Sequence, residues 1–116
     1  SHYQEGRYNN LINTPLEAGT GSATFRAEIE SAWLPAVRSF APELIIVSAG
    51  FDAHRDDPMA ELCLLDDDYH WLADQIISLA TPRSTPVLSI LEGGYHLGAL
   101  GRCVAEYLQP FVKHKA

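Results

Sequence analysis

Residues 44–59, LIIVSAGFDAHRDDPM, join an apolar run to a loop rich in acidic side chains. The first four residues are leucine or β-branched without polar alternation, which is typical of a strand buried on both faces of a parallel sheet. Ligands of such sheets bind beyond the carboxyl ends of the strands. Because Asp52 lies just beyond that end, we expect any chemistry of this chain to involve Asp52 and its neighbours.

The flanking sequence continues an alternation of strands and helices. A turn at residues 19–22, with Ser22 as a candidate N-cap, precedes a helical apolar stripe that Pro35 should kink or divide. Strands are predicted near residues 8–14 and at 86–91, and the resulting order β-α-β-α-β-α favours an α/β fold with parallel pairing. The predicted apolar face of the last helix consists of Leu97, Leu100, Val104, Leu108 and Phe111.

Composition sets the broad class of the protein. The 116 residues make one domain at most, and a net charge of −7 argues against direct nucleic-acid binding. No apolar run approaches the roughly 18 residues of a membrane span, and no signal-peptide pattern is present. Cys63 and Cys103 lack metal-site or disulfide spacing and are interpreted as free thiols, so we expect a cytoplasmic protein. Residues 1–7 are assigned to a tag or a disordered end.

Polar residues follow both strong strands. Asp52 comes after the first strand, and Glu92 and Tyr95 come after the second. If the strands are neighbours, the two loops share one edge of the sheet. From the residues alone, Asp52 is open to three interpretations: a metal ligand, a general base or a loop cap. Tyr95 is either an oxyanion donor or a packing residue.

Several nearby features have structural explanations that we prefer. The aspartates at residues 66–68 directly precede a helix, where they cap free N–H groups and complement the helix dipole. Asp56 and Asp57 before Pro58 are typical of a turn. Asp52 with His54 gives too few ligands for a catalytic zinc ion, which takes three protein ligands.

The two loops together resemble a known family. SAGFDAHRDDPM at residues 48–59, followed by LEGGYHL at residues 91–97, is similar to the zinc-dependent deacetylases. These comprise histone deacetylases, acetylpolyamine amidohydrolases and acetoin-utilisation proteins. Glu92 stands where class I members have glycine, so the likeness is to class II and bacterial members. The resemblance extends over residues 6–112 and implies the three-layer, parallel-sheet arginase/deacetylase fold, with residues 1–116 forming the C-terminal part of one domain.

The resemblance also implies roles for individual residues. Asp52 matches a zinc-binding aspartate, whereas His54 matches a position that is not a ligand. Tyr95 matches the tyrosine that hydrogen-bonds the acetyl carbonyl and stabilises the oxyanion. Residues matching the substrate channel or its surroundings are Gly93, Gly94, Pro58 and Met59.

The family's tandem histidines and its other two zinc ligands have no counterpart in this sequence. We therefore expect the chain alone to be inactive, although the parent reaction is hydrolysis of acetyl-lysine or an acetylpolyamine. The alternatives are a stand-alone, non-catalytic binding or assembly module, and complementation by a second chain that bears the histidines. A partial sheet would expose apolar surface, so we expect a homo-oligomer or association with the missing N-terminal part of the domain.

Overall fold

The computed structural model describes residues 3–5 and 7–114. Along the chain the elements are β1 (Tyr3–Glu5), β2 (Leu11–Asn13), α1 (Ser22–Glu28), a π-helical segment (Ile29–Trp33), α2 (Leu34–Phe40), β3 (Ile45–Ala49), α3 (Asp66–Ala80), a 3-10 turn (Thr81–Arg83), β4 (Val87–Leu91) and α4 (Leu97–Lys113). Within this part of the chain, no helix is long and apolar enough to span a membrane.

The two strong strands are parallel, as the sequence predicted, and they are neighbours, which the sequence had left open. β3 and β4 pair from Ile45 opposite Val87 to Ala49 opposite Leu91. Two further hydrogen bonds continue the pairing beyond the strands, since the Glu92 N–H donates to Ala49 and the Phe51 N–H donates to Gly93. The loops that follow β3 and β4 are therefore held against each other at one edge of the sheet.

Helices α3 and α4 cover one face of this sheet and form the core with it. The buried cluster consists of Phe51, Leu64, Tyr69, Ala73, Ile76, Cys103 and Tyr107. Ile45 and Val47 of β3 pack against this cluster, whereas the side chain between them, Ile46, is 58% exposed. The expectation that the strand is buried on both faces is therefore wrong for this chain. The opposite face has no covering layer within the described residues.

The buried face of α4 agrees with the predicted one in part, because Leu100, Val104 and Phe111 pack against the core cluster as expected. Its buried residues are Ala99, Cys103, Tyr107 and Pro110. Leu97 is 81% exposed and Leu108 is 47% exposed, although both were assigned to the apolar face. Small side chains allow two helices to pack closely, so Ala99 and Cys103 occupy the side that meets α3, where Ala73 is fully buried.

The N-terminal half contains an irregular helix and a separate hairpin. Pro35 lies in the first turn of α2, and the turn before it is π-helical, which suits the backbone hydrogen bond that proline cannot donate. The backbone stays helical at Ile29 and Leu34, so the predicted kink or division takes the form of a π-helical segment inside one continuous helix. Gly21, not Ser22, occupies the N-cap of α1, since the Ser22 hydroxyl donates to Asp68. β2 lies within the predicted segment 8–14, but it pairs antiparallel with β1 and not with the parallel sheet. Of the segment assigned to a tag or disordered end, residues 1, 2 and 6 lie outside the described part.

Candidate active site

Asp52 lies in a cradle formed by two glycines. A methyl group added at Gly93 would stand 2.9 Å from Cγ of Asp52, and one added at Gly50 would stand 3.0 Å from Oδ1. Any side chain at Gly93 would therefore displace the carboxylate. The two strand-end loops thus bring Asp52 and Gly93 together, although the two residues are far apart in the sequence.

The Asp52 carboxylate is half-buried, and it makes no hydrogen bond or ion pair with another described residue. A second polar group nearby is also unsatisfied: the buried hydroxyl of Tyr69 lies near the Ala53 backbone but has no hydrogen-bond partner in this part of the chain. Burial, the Cys103 thiol and the Asp52 charge raise the pKa of Tyr69, so this hydroxyl is neutral at physiological pH. A half-buried carboxylate without a partner is costly unless a cation or hydrogen-bond donor satisfies it.

As a metal ligand, Asp52 would supply one donor atom. It belongs to no group of three potential ligands between residues 7 and 114. A catalytic zinc ion takes three protein ligands and an open position. The described residues therefore fit one corner of such a site, and further ligands would have to come from elsewhere.

Tyr95, Pro58 and Met59 are exposed on the loops that follow β3 and β4. The side chain of Tyr95 is 57% exposed and that of Met59 is 69% exposed. Pro58 is exposed, while Gly94, directly before Tyr95, is half-buried and has a φ of +145° that disfavours other residues. The side chain of Tyr95 is thus accessible from solvent.

Asp57, which the sequence suggested only as a turn residue, connects the two loops. Its carboxylate accepts hydrogen bonds from the backbone N–H groups of Met59 (2.8 Å), Tyr95 (2.7 Å) and His96 (3.2 Å). Burial alone would raise the pKa of Asp57, but these three bonds and the nearby His96 ring outweigh it and hold the pKa below its ordinary value. The bond to Met59 is a local turn pattern that sequence can suggest. Nothing in the sequence pointed to the bonds with residues 38 and 39 positions away.

A cluster of potential metal ligands is formed by one residue of the loop that follows β3, one of α3 and one of α4. Atoms of His54, Asp66 and Cys103 lie within 4.8 Å of one another. Nε2 of His54 contacts Asp66 at 2.7 Å, while its Nδ1 accepts the Asp56 N–H at 3.1 Å. Because Nδ1 accepts, the ring proton is on Nε2, which donates to Asp66 and has no lone pair for a metal.

The other two members of this cluster are also engaged. Arg102 donates to Asp66 at 2.9 Å, and Cys103 contacts the same carboxylate through its thiol at 3.6 Å. Burial, followed by Asp66, raises the pKa of Cys103 to about 12, so the thiol keeps its proton. Metal binding requires a free imidazole nitrogen and a thiolate. The cluster therefore ties the loop of residues 51–59 to α3 and α4, and as bonded it is not a metal centre.

Comparison with known proteins agrees with this geometry. The sequence model of the histone deacetylase domain matches residues 2–110. An uncharacterized protein of Synechocystis sp. is 37% identical over 107 residues, covering 92% of this chain and 34% of that protein. The acetylpolyamine amidohydrolase of Burkholderia pseudomallei is 34% identical over 89 residues, covering 77% of this chain and 25% of that protein.

Solved structures give the same result. The histone deacetylase Clr3 superposes with a TM-score of 0.76 at 27% identity, covering 85% of this chain and 16% of that one. The arginase/deacetylase assignment of the fold is thereby confirmed. The chain spans about a third or less of the length of each of these three proteins.

Proposed function

Because the chain belongs to the histone deacetylase family, we propose that it is the C-terminal part of a zinc-dependent deacetylase domain that hydrolyses acetyl amides. The observation that carries this proposal is the Asp52 carboxylate. It is half-buried, lacks a partner among the described residues and lies in a glycine cradle beyond the end of β3. Parallel α/β sheets bind ligands in this position.

Asp52 would hold the zinc ion together with two ligands from outside the described residues. When bound, zinc supplies Lewis-acid polarisation of a carbonyl and lowers the pKa of a water molecule. Asp52 contributes a negative charge and a fixed oxygen donor to that site. Because these residues provide one ligand, we expect the isolated chain neither to bind zinc tightly nor to turn over substrate.

Tyr95 would act on the substrate side. Its exposed phenol follows the two glycines, and its backbone is fixed by Asp57. A neutral phenol donates one hydrogen bond, which suits the oxygen that becomes negatively charged when water attacks an acetyl carbonyl. The products would be acetate and a free amine.

The substrate in this proposal is acetyl-lysine or an acetylated polyamine, and the residues described do not favour one over the other. One relative is named an acetylpolyamine amidohydrolase, and another is named a histone deacetylase. We also place the protein in the cytoplasm. Cys63 and Cys103, which are free thiols in the structure, support a reducing compartment.

The test uses the protein expressed from its complete reading frame. Bound zinc is measured together with hydrolysis of an acetyl-lysine peptide and of an acetylated diamine, with and without chelator. We expect Asp52→Asn to lose both zinc and turnover. Tyr95→Phe should keep zinc while kcat falls about 10²–10³-fold, which is the usual cost of removing one oxyanion donor.

Asp74→Asn is the matched control, because Asp74 is an exposed carboxylate on α3 whose side chain is 55% accessible. It should keep zinc and activity. Full turnover by Asp52→Asn would overturn the proposal. A complete protein with neither zinc nor turnover would indicate the non-catalytic module. Zinc-dependent turnover by the isolated 116 residues would mean that ligands assemble between chains.

A further inference from the structure

We propose that Asp57 is a positioning residue that holds Met59 and Tyr95 in place on the two loops at the proposed substrate channel. This inference rests on the function proposed above, because it assigns Asp57 a role in placing the Tyr95 hydroxyl. Asp57 itself is 6% exposed and would touch neither substrate nor metal.

Both oxygens of Asp57 are used, one for each loop. Oδ1 accepts the Met59 N–H on the loop that follows β3. Oδ2 accepts the Tyr95 and His96 N–H groups on the loop that follows β4. All three donors are backbone groups, so Asp57 fixes the path of the two loops and leaves the side chains of Met59 and Tyr95 free to face solvent.

The position of Tyr95 needs such an anchor. Gly93 and Gly94 precede it, and glycine has the widest choice of backbone conformations, so those residues alone do not fix where Tyr95 lies. Its side chain is more than half exposed and so has limited packing to hold it. On its other side, His96 caps α4 by accepting the Ala99 N–H. The bonds to Asp57 therefore fix Tyr95 between the two glycines and the start of α4.

The chemistry of an aspartate suits this position. No described ion pair involves Asp57, so its negative charge is balanced by N–H dipoles and by the nearby His96 ring. Hydrogen bonds from N–H groups to a carboxylate are about twice as strong as those to a neutral acceptor. Asparagine has the same shape, but its amide group would place a donor against the donors of one loop. Asp57→Asn therefore releases one loop while it keeps the volume of the side chain.

A displaced Tyr95 would lower the rate of the chemical step. A shift of about 1 Å in a positioned group can cost about 10²-fold in rate. If Asp57 acts through the Tyr95 hydroxyl, its loss should be costly only while that hydroxyl is present. This dependence distinguishes positioning from a general contribution to stability.

The experiment is a double-mutant cycle in the protein expressed from its complete reading frame, with Asp57→Asn, Tyr95→Phe and the double variant. We expect Asp57→Asn to lower kcat about 10–100-fold with bound zinc retained. In the Tyr95→Phe background the same change should cost less than about threefold, since residues that act through one another are not additive. Asp56→Asn, the exposed neighbouring carboxylate, is the control and should leave kcat unchanged.

A second readout does not depend on activity. The Tyr95 and His96 amides should be protected from hydrogen exchange in the wild type, and Asp57→Asn should expose them while the amides of α3 stay protected. If Asp57→Asn fails to fold, Asp57→Glu, which keeps the charge but moves the oxygens, replaces it with the same expectations. Unchanged exchange at both amides, or equal kcat losses in the two backgrounds, would overturn the role of Asp57. If Tyr95→Phe left kcat unchanged, the role of Tyr95 in the proposed function would be overturned. The hydrogen-exchange data would still test the Asp57 contacts.

Discussion

At the scale of single residues, the position of Asp52 depends on neighbouring glycines, which have no side chain. The Asp52 carboxylate rests against the main chain of Gly93, where a methyl group would come within 2.9 Å of Cγ. We expect Gly93→Ala to turn the Asp52 carboxylate away from the strand end at a cost of less than about 1 kcal/mol, because the clashing atoms belong to the end of a side chain that can rotate. Urea unfolding measures this change, and zinc binding by the complete protein should fall with it.

Gly101→Ala provides the matched control for that substitution. Gly101 lies in α4, and a methyl group added there would meet nothing within 4 Å. Alanine is favoured over glycine inside a helix, so this variant should be more stable by about 0.5–1 kcal/mol. If Gly93→Ala left zinc binding by the complete protein unchanged, the cradle would not determine the position of Asp52.

At the scale of elements, one carboxylate connects the first helix to the third. Asp68 is fully buried and accepts hydrogen bonds from Arg26 of α1 (2.8 Å), from the Ser22 hydroxyl and from the Leu65 N–H (2.8 Å). The last of these is the cap at the helix start that the acidic run at residues 66–68 predicted. The other two bonds hold α1 against the start of α3, which makes Asp68 more than a cap.

We therefore expect the neighbouring aspartates of α3 to differ sharply in their effect on stability. Asp68→Asn should lower the free energy of unfolding by about 2–3 kcal/mol, because it weakens buried hydrogen bonds to a charged group. Asp67→Asn, in the same helical turn but exposed, should cost less than about 1 kcal/mol through the helix dipole alone. Equal losses in urea unfolding would show that the helix start, and not the link to α1, accounts for the role of Asp68.

The elements also show which information the sequence carries. Local patterns located β3, β4 and the irregular helix around Pro35, and the rule for parallel sheets placed the Asp52 and Tyr95 loops at one edge on the condition that the two strands are neighbours. The long-range bonds of Asp57 and Asp68 were missed, because each depends on a residue about 40 positions away. For α4, Leu100, Val104 and Phe111 were predicted correctly, since they pack against the core cluster. Leu97 and Leu108 were included wrongly because large aliphatic residues were preferred, and Ala99 and Cys103, which helix packing buries, were missed.

At the scale of the whole molecule, the sheet is covered on one side. On the other side Ile46, Leu88 and Ile90 are between 46% and 58% exposed. Within the described residues the sheet has two strands, so the outer edge of β3 is also unpaired. Beside that edge lies a groove of about 590 Å³ whose lining includes Ile12, Val37, Phe40, Leu44 and Ile46. Exposed apolar sheet surfaces and free edges favour association with another chain.

We expect the isolated chain to self-associate through this face at micromolar to millimolar concentrations. The double variant Ile46→Glu/Leu88→Glu places charges on the exposed side, so it should sediment as a monomer with little change in unfolding free energy. Leu97→Glu, at an equally apolar and 81% exposed position on α4, should leave association unchanged. A monodisperse wild-type monomer in sedimentation across that range would contradict the expectation.

Because the chain spans 34% of its Synechocystis relative, sedimentation of the complete protein tests what normally covers the exposed face of the sheet. If it is monomeric while the isolated chain associates, the remainder of the domain provides the missing layer.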